Sequence, residues 1–444
     1  MDLTPLRSTV TGTVFAPDDD GFATALALYS APGPAVIVQA ASEADVVAAV
    51  RFAAAEDLRI AVRSGGHAGP MFSPGPDRVL IDLHAISAIE VGDDGIVEVG
   101  PGATWGDVAA EVQKHGLAIS SGDTAAVGVG GLALGGGIGW LVRRDGLALD
   151  SIVGGTVVLA SGEVVTVSAE ENPELFWAIR GGGGNFGVIT SLRFQAQPLG
   201  TVLSIELHLD PERLGESLRA LRDVMASAPH ELNATFGVTP NGPPGPDFAF
   251  VHHIVAIFAA EDSDASRAAI APLLAIPGVI DSTVTPSDYR SLLAEIPGGA
   301  PGAPLPNVVV RDALLDTFDD AAVDAVLAAR GQLGFSVFTV RFLGGAFGRV
   351  SPDATAFAHR SAVVIANIVE FLPPGAPVSA GKVIEAWAPV AALSIGSYGN
   401  FTSEVGHQVV AAMYPPATLA RLRAAKARYD PHNRFADNAN ITPA

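Results

Sequence analysis

The chain has 444 residues, of which 49% are hydrophobic and only 16% are charged, so it can build a large folded core and has little tendency to disorder. The formal net charge of −21 argues against nucleic acid and against anionic membrane surfaces as partners, because phosphate groups would be repelled. The absence of cysteine excludes disulfides, thiolate zinc sites, iron–sulfur clusters and cysteine nucleophiles.

The N-terminal segment has no basic stretch followed by an apolar run, so no secretory signal is expected. Glycines or charges interrupt every apolar stretch well before the ~18 residues that a membrane span needs. We therefore expect a cytoplasmic protein without a membrane partner, acting as a monomer or homodimer. The length is sufficient for two or three domains.

The first predicted elements are a strand, a helix and a strand over residues 36–63, with Ser42 as the helix N-cap. Further strands are predicted at 78–83 and 96–101, a helix at 104–116 and a hairpin at 156–168. A strand follows at 188–197. From about 200 to 395, alternating strands mix with Ala-rich helices, and the chain ends in a helix and a Pro/Asn-rich tail. This pattern predicts α+β domains.

The first motif with chemical content is Arg63-Ser64-Gly65-Gly66-His67, directly after a predicted strand. Its two glycines allow a sharp turn and bring backbone N–H groups close to an anion. An ordinary strand-to-loop turn with an adjacent histidine remains an alternative on these five residues alone.

Two more glycine-rich segments follow. Residues 127–139 (VGVGGLALGGGIG) lack Cβ atoms at many positions, as expected where a chain lies against a flat ligand or a pyrophosphate; a tightly packed loop is the alternative. Gly182, Gly184 and Gly187 satisfy G-x-G-x-x-G. A Rossmann site needs a strand before this motif and a helix after it. Here the order is reversed, which excludes that site.

In order and spacing, RSGGH, PGATWGDV (101–108), GVGGLALGGGIG and LFWAIRGGGGNFGVITS resemble the FAD-linked oxidases of the vanillyl-alcohol-oxidase/PCMH superfamily, in the berberine-bridge-enzyme-like branch. The ending YDPHNRFADNANI is similar to that family's closing segment. The resemblance covers most of residues 30–200 and about 395–444. Residues 200–395 match only loosely.

The resemblance implies an α+β fold with a PCMH-type FAD-binding domain of two α/β subdomains. A substrate domain would place an antiparallel sheet, covered by helices, over the isoalloxazine. The expected boundaries are 1–198 for the FAD domain, 199–395 for the substrate domain and 396–444 for a segment that returns to the FAD domain.

The resemblance further implies covalent FAD, attached through its 8α carbon to His67. Many members carry a second bond from a cysteine, and Thr124 stands at that position here, so a single link is expected. No metal is expected. The expected cofactor-binding residues are Arg63, Ser64, Gly65, Gly66, His67, Thr124, Val127, Gly128, Gly130, Gly131, Gly135, Gly137, Gly139, Gly187, Val188, Asn438 and Asn440.

Val127 matches a position that gates oxygen in the family, where valine accompanies oxidase behaviour. We therefore expect an oxidase that passes hydride from a small organic molecule to the flavin and electrons to O2. A dehydrogenase with a different acceptor, a flavin-binding protein without turnover and a cofactor-free structural protein are the alternatives.

Tyr398 and Asn400, two residues apart, are the expected catalytic pair; in an extended segment both would lie on one face. The resemblance places usual acid/base residues at Phe401 and Ala366, which cannot take a proton, so Arg341 or Asn367 are further candidates. His252 and His253 should lie on opposite strand faces, which argues against a metal pair. Four phenylalanines, at 335, 338, 342 and 347, favour a hydrophobic or aromatic alcohol or amine as substrate, although core packing explains them equally well.

Overall fold

The computed structural model describes residues 1–26, 33–67, 75–242, 249–295, 308–372, 381–404, 406–437 and 439–444. Asn438, an expected cofactor ligand, lies outside the described residues.

The strands are, in chain order, β1 (Thr13–Phe15), β2 (Val36–Gln39), β3 (Arg59–Arg63), β4 (Arg78–Asp82), β5 (Ile89–Val91), β6 (Ile96–Val99), β7 (Leu117–Ala118), β8 (Ile152–Val158), β9 (Val164–Ser168), β10 (Val188–Gln195), β11 (Gln197–Pro198), β12 (Val202–Leu209), β13 (Leu232–Pro240), β14 (Phe250–Phe258), β15 (Val279–Ser287), β16 (Val308–Leu315), β17 (Ser336–Phe342) and β18 (Val364–Phe371).

The helices are α1 (Thr4–Thr9), α2 (Phe22–Ala25), α3 (Glu43–Ala55), α4 (Trp105–Gln113), α5 (Val129–Gly135), α6 (Val142–Asp145), α7 (Pro173–Ile179), α8 (Leu214–Ser227), α9 (Asp264–Leu274), α10 (Asp320–Gly331), α11 (Ala346–Arg349), α12 (Gly381–Ala391), α13 (His407–Met413) and α14 (Pro416–Tyr429).

The predicted N-terminal strand–helix–strand unit is confirmed, and Ser42 caps α3 by accepting a hydrogen bond from the Asp45 backbone N–H. Strands β1-β2-β4-β3 form a four-stranded sheet in which β2 and β3 both run parallel to β4. Strands β5-β6-β10-β8-β9 form an antiparallel five-stranded sheet, which contains the predicted hairpin β8–β9. Val158 and Val188 of the second sheet share a core with the first sheet and with Phe435 of the C-terminal tail.

A seven-stranded antiparallel sheet, in the order β15-β12-β14-β13-β17-β18-β16, is built from the chain between β12 and β18. Alternate residues of each strand point to one face, where α8, α9, α10 and α12 cover them in a single core. The predicted antiparallel sheet covered by helices is thus confirmed. Within the described ranges, none of the helices has the length and apolar character to cross a membrane.

The opposite face of this sheet is turned toward the N-terminal sheets. Arg143 of α6 is buried there, and its guanidinium donates to the carbonyl oxygens of Leu232 (2.8 Å) and Leu343 (2.6 Å), at the near ends of β13 and β17. These bonds pair the buried Arg143 cation with backbone and connect α6 to the ends of β13 and β17. The space between the seven-stranded sheet and the N-terminal sheets is called the cleft below, and the side of the seven-stranded sheet that borders it is called its cleft face.

Candidate functional site

The RSGGH and VGVGG segments touch each other at two glycines. A Cβ on Gly65 would overlap the backbone nitrogen of Gly128 and lie 2.7 Å from its Cα. Gly66 has φ +70°, a conformation that other residues rarely adopt. Strand β3 ends at Arg63, so the turn begins at once and brings His67 to the edge of the cleft.

Arg63 and Ser64 hold this turn in place. Arg63 is buried and pairs with Asp82 (Nη2 to Oδ2, 2.5 Å) while donating to the Ala25 carbonyl oxygen (2.7 Å). The Ser64 hydroxyl donates to the Pro101 carbonyl oxygen. Arg63, Ser64, Gly65 and Asp82 bound a cavity of about 550 Å³, within the size range of small-molecule sites.

His67 stands exposed at the end of the turn. Desolvation lowers the pKa of its imidazole, and the Asp123 carboxylate opposes that shift. Burial would raise the pKa of Asp123, but its ion pair with Arg341 outweighs burial and lowers it. The Thr124 hydroxyl also donates to Asp123 Oδ1 (3.1 Å). A neutral imidazole at pH 7 is therefore favoured, which leaves one ring nitrogen able to form a bond.

The glycine-rich segment forms α5 and the turn after it. Gly130 donates its N–H to the Pro101 carbonyl oxygen (3.2 Å), and a Cβ on Gly131 would meet nothing within 4 Å. Gly139 packs on the backbone of Ser121 and Gly122, where a Cβ would overlap their carbonyl groups. Val127 is half-buried against the hydrophobic core that includes side chains of the five-stranded sheet. Gly131 is therefore the position among these three glycines that has open space beside it, whereas Gly139 is packed against backbone.

Tyr398 and Asn400 lie directly on this segment. The Tyr398 hydroxyl accepts hydrogen bonds from the Gly137 N–H (2.7 Å) and from Asn400 Nδ2 (2.9 Å). Asn400 Nδ2 also donates to the Leu132 carbonyl oxygen, and a Cβ on Gly135 would overlap Asn400 Oδ1. Burial raises the pKa of Tyr398 to about 12, so this phenol stays protonated at neutral pH. Asn400 is exposed to the cleft, whereas Tyr398 is buried behind it.

The expected extended geometry of this segment is wrong. Gly399–Phe401 forms a 3₁₀ turn, and Tyr398 and Asn400 meet through their own hydrogen bond. Gly399 faces Met413, which a Cβ would overlap, and therefore packs away from the glycine-rich segment. The Phe401 ring stacks edge-on against Tyr398 at 5.0 Å, and the Arg341 guanidinium lies over it.

No sequence pattern pointed to Asp312, which ties this segment to the edge strand β16. Its carboxylate accepts hydrogen bonds from the Tyr398 N–H (2.6 Å) and the Ser397 hydroxyl (2.7 Å). Burial raises its pKa to about 7. Because the pKa is raised in the folded state, the stabilisation is complete below pH ~4, the unfolded pKa, and is lost as pH rises through about 7.

Asp312→Asn should therefore flatten the dependence of unfolding free energy on pH between pH 4 and 7. The amide can still accept from the Tyr398 N–H and does not ionise. Urea unfolding at pH 5 and pH 8 checks this, with Asp316→Asn, an exposed carboxyl just beyond β16, as the control. An unchanged pH slope in Asp312→Asn would contradict the assignment.

The cleft face of the seven-stranded sheet carries polar residues that were not expected together. Thr339 of β17 pairs with Asn367 of β18, and the Thr339 hydroxyl donates to Asn367 Oδ1. Ala366, the expected acid/base position, is fully buried in the helix-covered core on the opposite face, so a side chain there cannot reach the cleft. The next residue, Asn367, occupies the cleft face instead.

The four phenylalanines that favoured an aromatic substrate pack against other side chains of the protein. Phe338 and Phe342 belong to the helix-covered core, and Phe347 belongs to the core that includes side chains of the five-stranded sheet. Phe335 stacks edge-on against Phe371 at 5.6 Å. Core packing therefore explains these rings, and they give no information about the substrate.

Three other expected ligands lie near the C-terminal tail or β8. Gly187 and Val188 are buried, and a Cβ on Gly187 would lie 2.7 Å from the Val158 carbonyl oxygen. Asn440 carries a buried Oδ1 that has no hydrogen-bond partner. Buried acceptors of this kind are satisfied in folded proteins by ordered water or by another bound polar group.

His252 and His253 do lie on opposite faces of β14, as predicted from the strand repeat. No cluster of three or more metal-binding side chains occurs in the part of the chain that the structure covers. Three features together fit FAD: the glycine-rich segment in contact with the RSGGH turn, the neutral His67 imidazole that can form a bond, and the buried Asn440 oxygen without a hydrogen-bond partner.

Comparison with known proteins agrees with this fit. Residues 34–168 match the family model of the FAD binding domain, and residues 397–442 match the model described as berberine and berberine like. The chain is 31% identical to (R)-6-hydroxynicotine oxidase of Paenarthrobacter nicotinovorans, over 99% of this chain and 98% of that one. It is 30% identical to the chitooligosaccharide oxidase of Gibberella zeae, over 92% and 87% of the two chains.

Among solved structures, the glucooligosaccharide oxidase of Acremonium strictum superposes with a TM-score of 0.83, covering 98% of this chain and 97% of that one. That protein is described as carrying a 6-S-cysteinyl, 8α-N1-histidyl FAD. At 24% identity this likeness shows the shared fold.

Proposed function

Because this chain belongs to the berberine-bridge-enzyme-like family of FAD-linked oxidases and is an FAD-dependent oxidoreductase, we propose that it oxidises a small organic alcohol or amine. Hydride passes to FAD held covalently by His67, and O2 is then reduced to hydrogen peroxide. The observation that carries the proposal is the contact of the RSGGH turn with the glycine-rich segment at Gly65 and Gly128, with Asn400 seated on the same segment at Gly135 and Leu132. In this proposal residues 1–198 and 396–444 hold the flavin, and residues 199–395 hold the substrate.

When bound, the flavin supplies the acceptor for hydride, and the side chains position the donor. Asn400 is proposed to contact the flavin or the substrate, with Tyr398 fixing its amide against the glycine-rich segment. An amide can orient a substrate by hydrogen bonds without titrating near pH 7. Arg341 already pairs with Asp123, so it gives no unpaired cation for an anionic substrate. These contacts favour a neutral substrate.

His67 is expected to hold the flavin alone. The family's second attachment position is Thr124, whose hydroxyl is engaged with Asp123 and cannot form a thioether. Acid precipitation of the purified protein should leave yellow colour in the pellet, and the flavin-bearing peptide should contain His67. His67→Ala should still bind FAD through the glycine-rich segments, with slower turnover.

His407→Ala is the matched control, since His407 is an exposed residue at the start of α13. It should keep the pellet yellow. Release of all flavin into the supernatant of the wild-type protein would contradict covalent attachment.

A substrate panel monitored by hydrogen peroxide tests the proposed reaction. The panel contains benzylic alcohols, benzylic amines, 6-hydroxynicotine and chitooligosaccharides, because the relatives include oxidases named for the last two. Peroxide formed together with anaerobic bleaching of the flavin supports the oxidase. Bleaching without peroxide in air would mark a dehydrogenase, and no bleaching by any compound would mark a flavin-binding protein without turnover.

A further inference from the structure

His253 lies in one row with other polar residues on the cleft face of the seven-stranded sheet. It pairs with Gly237 of β13, Gly237 pairs with Thr339 of β17, and Thr339 pairs with Asn367 of β18. Residues in register on neighbouring strands have side chains on the same face. Arg341, two residues beyond Thr339, is on this face as well and reaches the Asp123 that adjoins His67.

Gly237 determines where the His253 ring lies. A Cβ on Gly237 would overlap His253 Nε2 and lie 2.6 Å from Cδ2. The imidazole therefore lies across β13, with Nε2 directed along the row toward β17 and the middle of the sheet. A glycine inside a strand weakens the strand, and close approach of another group is a common reason for it.

The His253 ring is suited to accept a proton. Desolvation lowers its pKa; Glu206 opposes this shift, while His208 and His252 add to it. Glu206 and His208 lie on β12, and the row on β13, β17 and β18 presents only Gly237, Thr339 and Asn367. A neutral imidazole has one nitrogen lone pair available.

The residues at the family's usual acid/base positions, and two further candidates around the cleft, are occupied or unsuitable. Phe401 and Ala366 cannot take a proton. Tyr398 is buried with its oxygen accepting two N–H groups, and both oxygens of Asp312 accept hydrogen bonds from Ser397 and Tyr398. Among these described residues, His253 has the geometry and the lone pair that an alcohol oxidation needs.

We propose that His253 accepts the hydroxyl proton of an alcohol substrate bound between the cleft face of the sheet and the flavin. The substrate O–H bond breaks and its proton forms an N–H bond on His253 Nε2. The C–H bond breaks with its electron pair, which leaves as hydride to the flavin, while the O–H pair becomes the carbonyl π bond. The alcohol loses two electrons and the flavin gains them. This inference rests on the proposed oxidase function and narrows its substrate to alcohols.

Binding of a non-reacting probe gives a test that does not depend on turnover. Phenol donates an O–H hydrogen bond, whereas anisole has the same ring without that donor. In the flavin-loaded protein, phenol should shift the Cε1–Hε1 NMR signal of His253, assigned by its loss in His253→Gln, and anisole should not. His253→Leu, which has no hydrogen-bond acceptor, should bind phenol roughly tenfold more weakly, because one hydrogen bond is lost, and bind anisole unchanged.

Two further variants separate a chemical role from a structural one. Gly237→Ala keeps His253 but displaces its ring, so it should weaken phenol binding as His253→Leu does, and the double variant should be no worse than either alone. His252→Gln, the neighbour on the opposite face of β14, should behave as wild type.

With an alcohol that bleaches the wild-type flavin, His253→Gln should slow reduction by ~10²–10⁴-fold and remove the rise of rate with pH through the His253 pKa. Wild-type phenol affinity in His253→Leu, or an unchanged pH profile in His253→Gln, overturns the role of His253. If no alcohol bleaches the wild-type flavin, the proposed function fails with respect to alcohols, while the phenol comparison still determines whether His253 contacts a hydroxyl ligand.

Discussion

Replacing Asn400 with alanine is expected to slow flavin reduction by ~10²–10³-fold, the cost of losing one hydrogen bond that strengthens in a transition state. Asn400 reaches the cleft with its amide fixed at two points, by the Leu132 carbonyl oxygen and the Tyr398 hydroxyl. Its Oδ1 packs over Gly135, on the surface proposed for the flavin ring. Because Asn400 is exposed, the midpoint of thermal unfolding should change little.

Anaerobic stopped-flow measurement of flavin bleaching checks this expectation. Gln332→Ala serves as the control, since Gln332 is an exposed amide whose single contact is the Ala328 carbonyl oxygen at the end of α10. A wild-type reduction rate in Asn400→Ala would remove Asn400 from the site. So would a structure of the flavin-loaded protein with Asn400 more than about 8 Å from the ring, well beyond hydrogen-bond reach.

Lys426→Met should cost ~3–5 kcal/mol of unfolding free energy, as expected when one partner of a buried ion pair is removed. Lys426 of α14 is fully buried, and its ammonium donates to Asp430 Oδ2 (2.7 Å) and to the carbonyl oxygens of Asn185 (2.7 Å) and Phe435 (2.9 Å). Methionine removes all three bonds and leaves the buried Asp430 carboxylate without its cation. Asn185 also holds the tail by accepting the Ile441 N–H, so the region of Asn440 should loosen.

Urea unfolding gives the free-energy difference for Lys426→Met. Lys114→Met is the control, because Lys114 is exposed in its pair with Glu111 and should contribute little. The double change Lys426→Met with Asp430→Leu should recover part of the loss, since it removes the unpaired charge. Equal losses for Lys426→Met and Lys114→Met would contradict the structural role of Lys426.

The order of predicted elements indicated α+β domains, and the family resemblance carried by the ordered glycine motifs predicted the fold. RSGGH and VGVGG were expected at one cofactor, and the structure brings Gly65 and Gly128 into contact. The resemblance implied an antiparallel sheet with one face under helices, and the structure contains one. The motifs are local in sequence, so they can be recognised without knowledge of the tertiary structure.

Features that depend on contacts between distant segments could not be predicted. The pairing of Gly237 with His253 and Thr339 follows from strand register, which no single segment specifies. Asp312 becomes informative only because β16 lies beside Ser397 and Tyr398. Gly237, an isolated glycine within the strand pattern of β13, was the one sequence feature that could have indicated the contact with His253, because such glycines often lie where another group packs closely on the backbone.

Mixing of the chemically reduced, flavin-loaded protein with air-saturated buffer tests the proposed oxidase most directly, because it needs no substrate. Val127, at the position where valine accompanies oxidase behaviour in the family, is half-buried and follows the exposed Ala126. The account predicts that the oxidised flavin spectrum returns within seconds, with one hydrogen peroxide formed per flavin. A return that takes many minutes, with faster reoxidation by a quinone or dye, would contradict the oxidase and indicate a dehydrogenase.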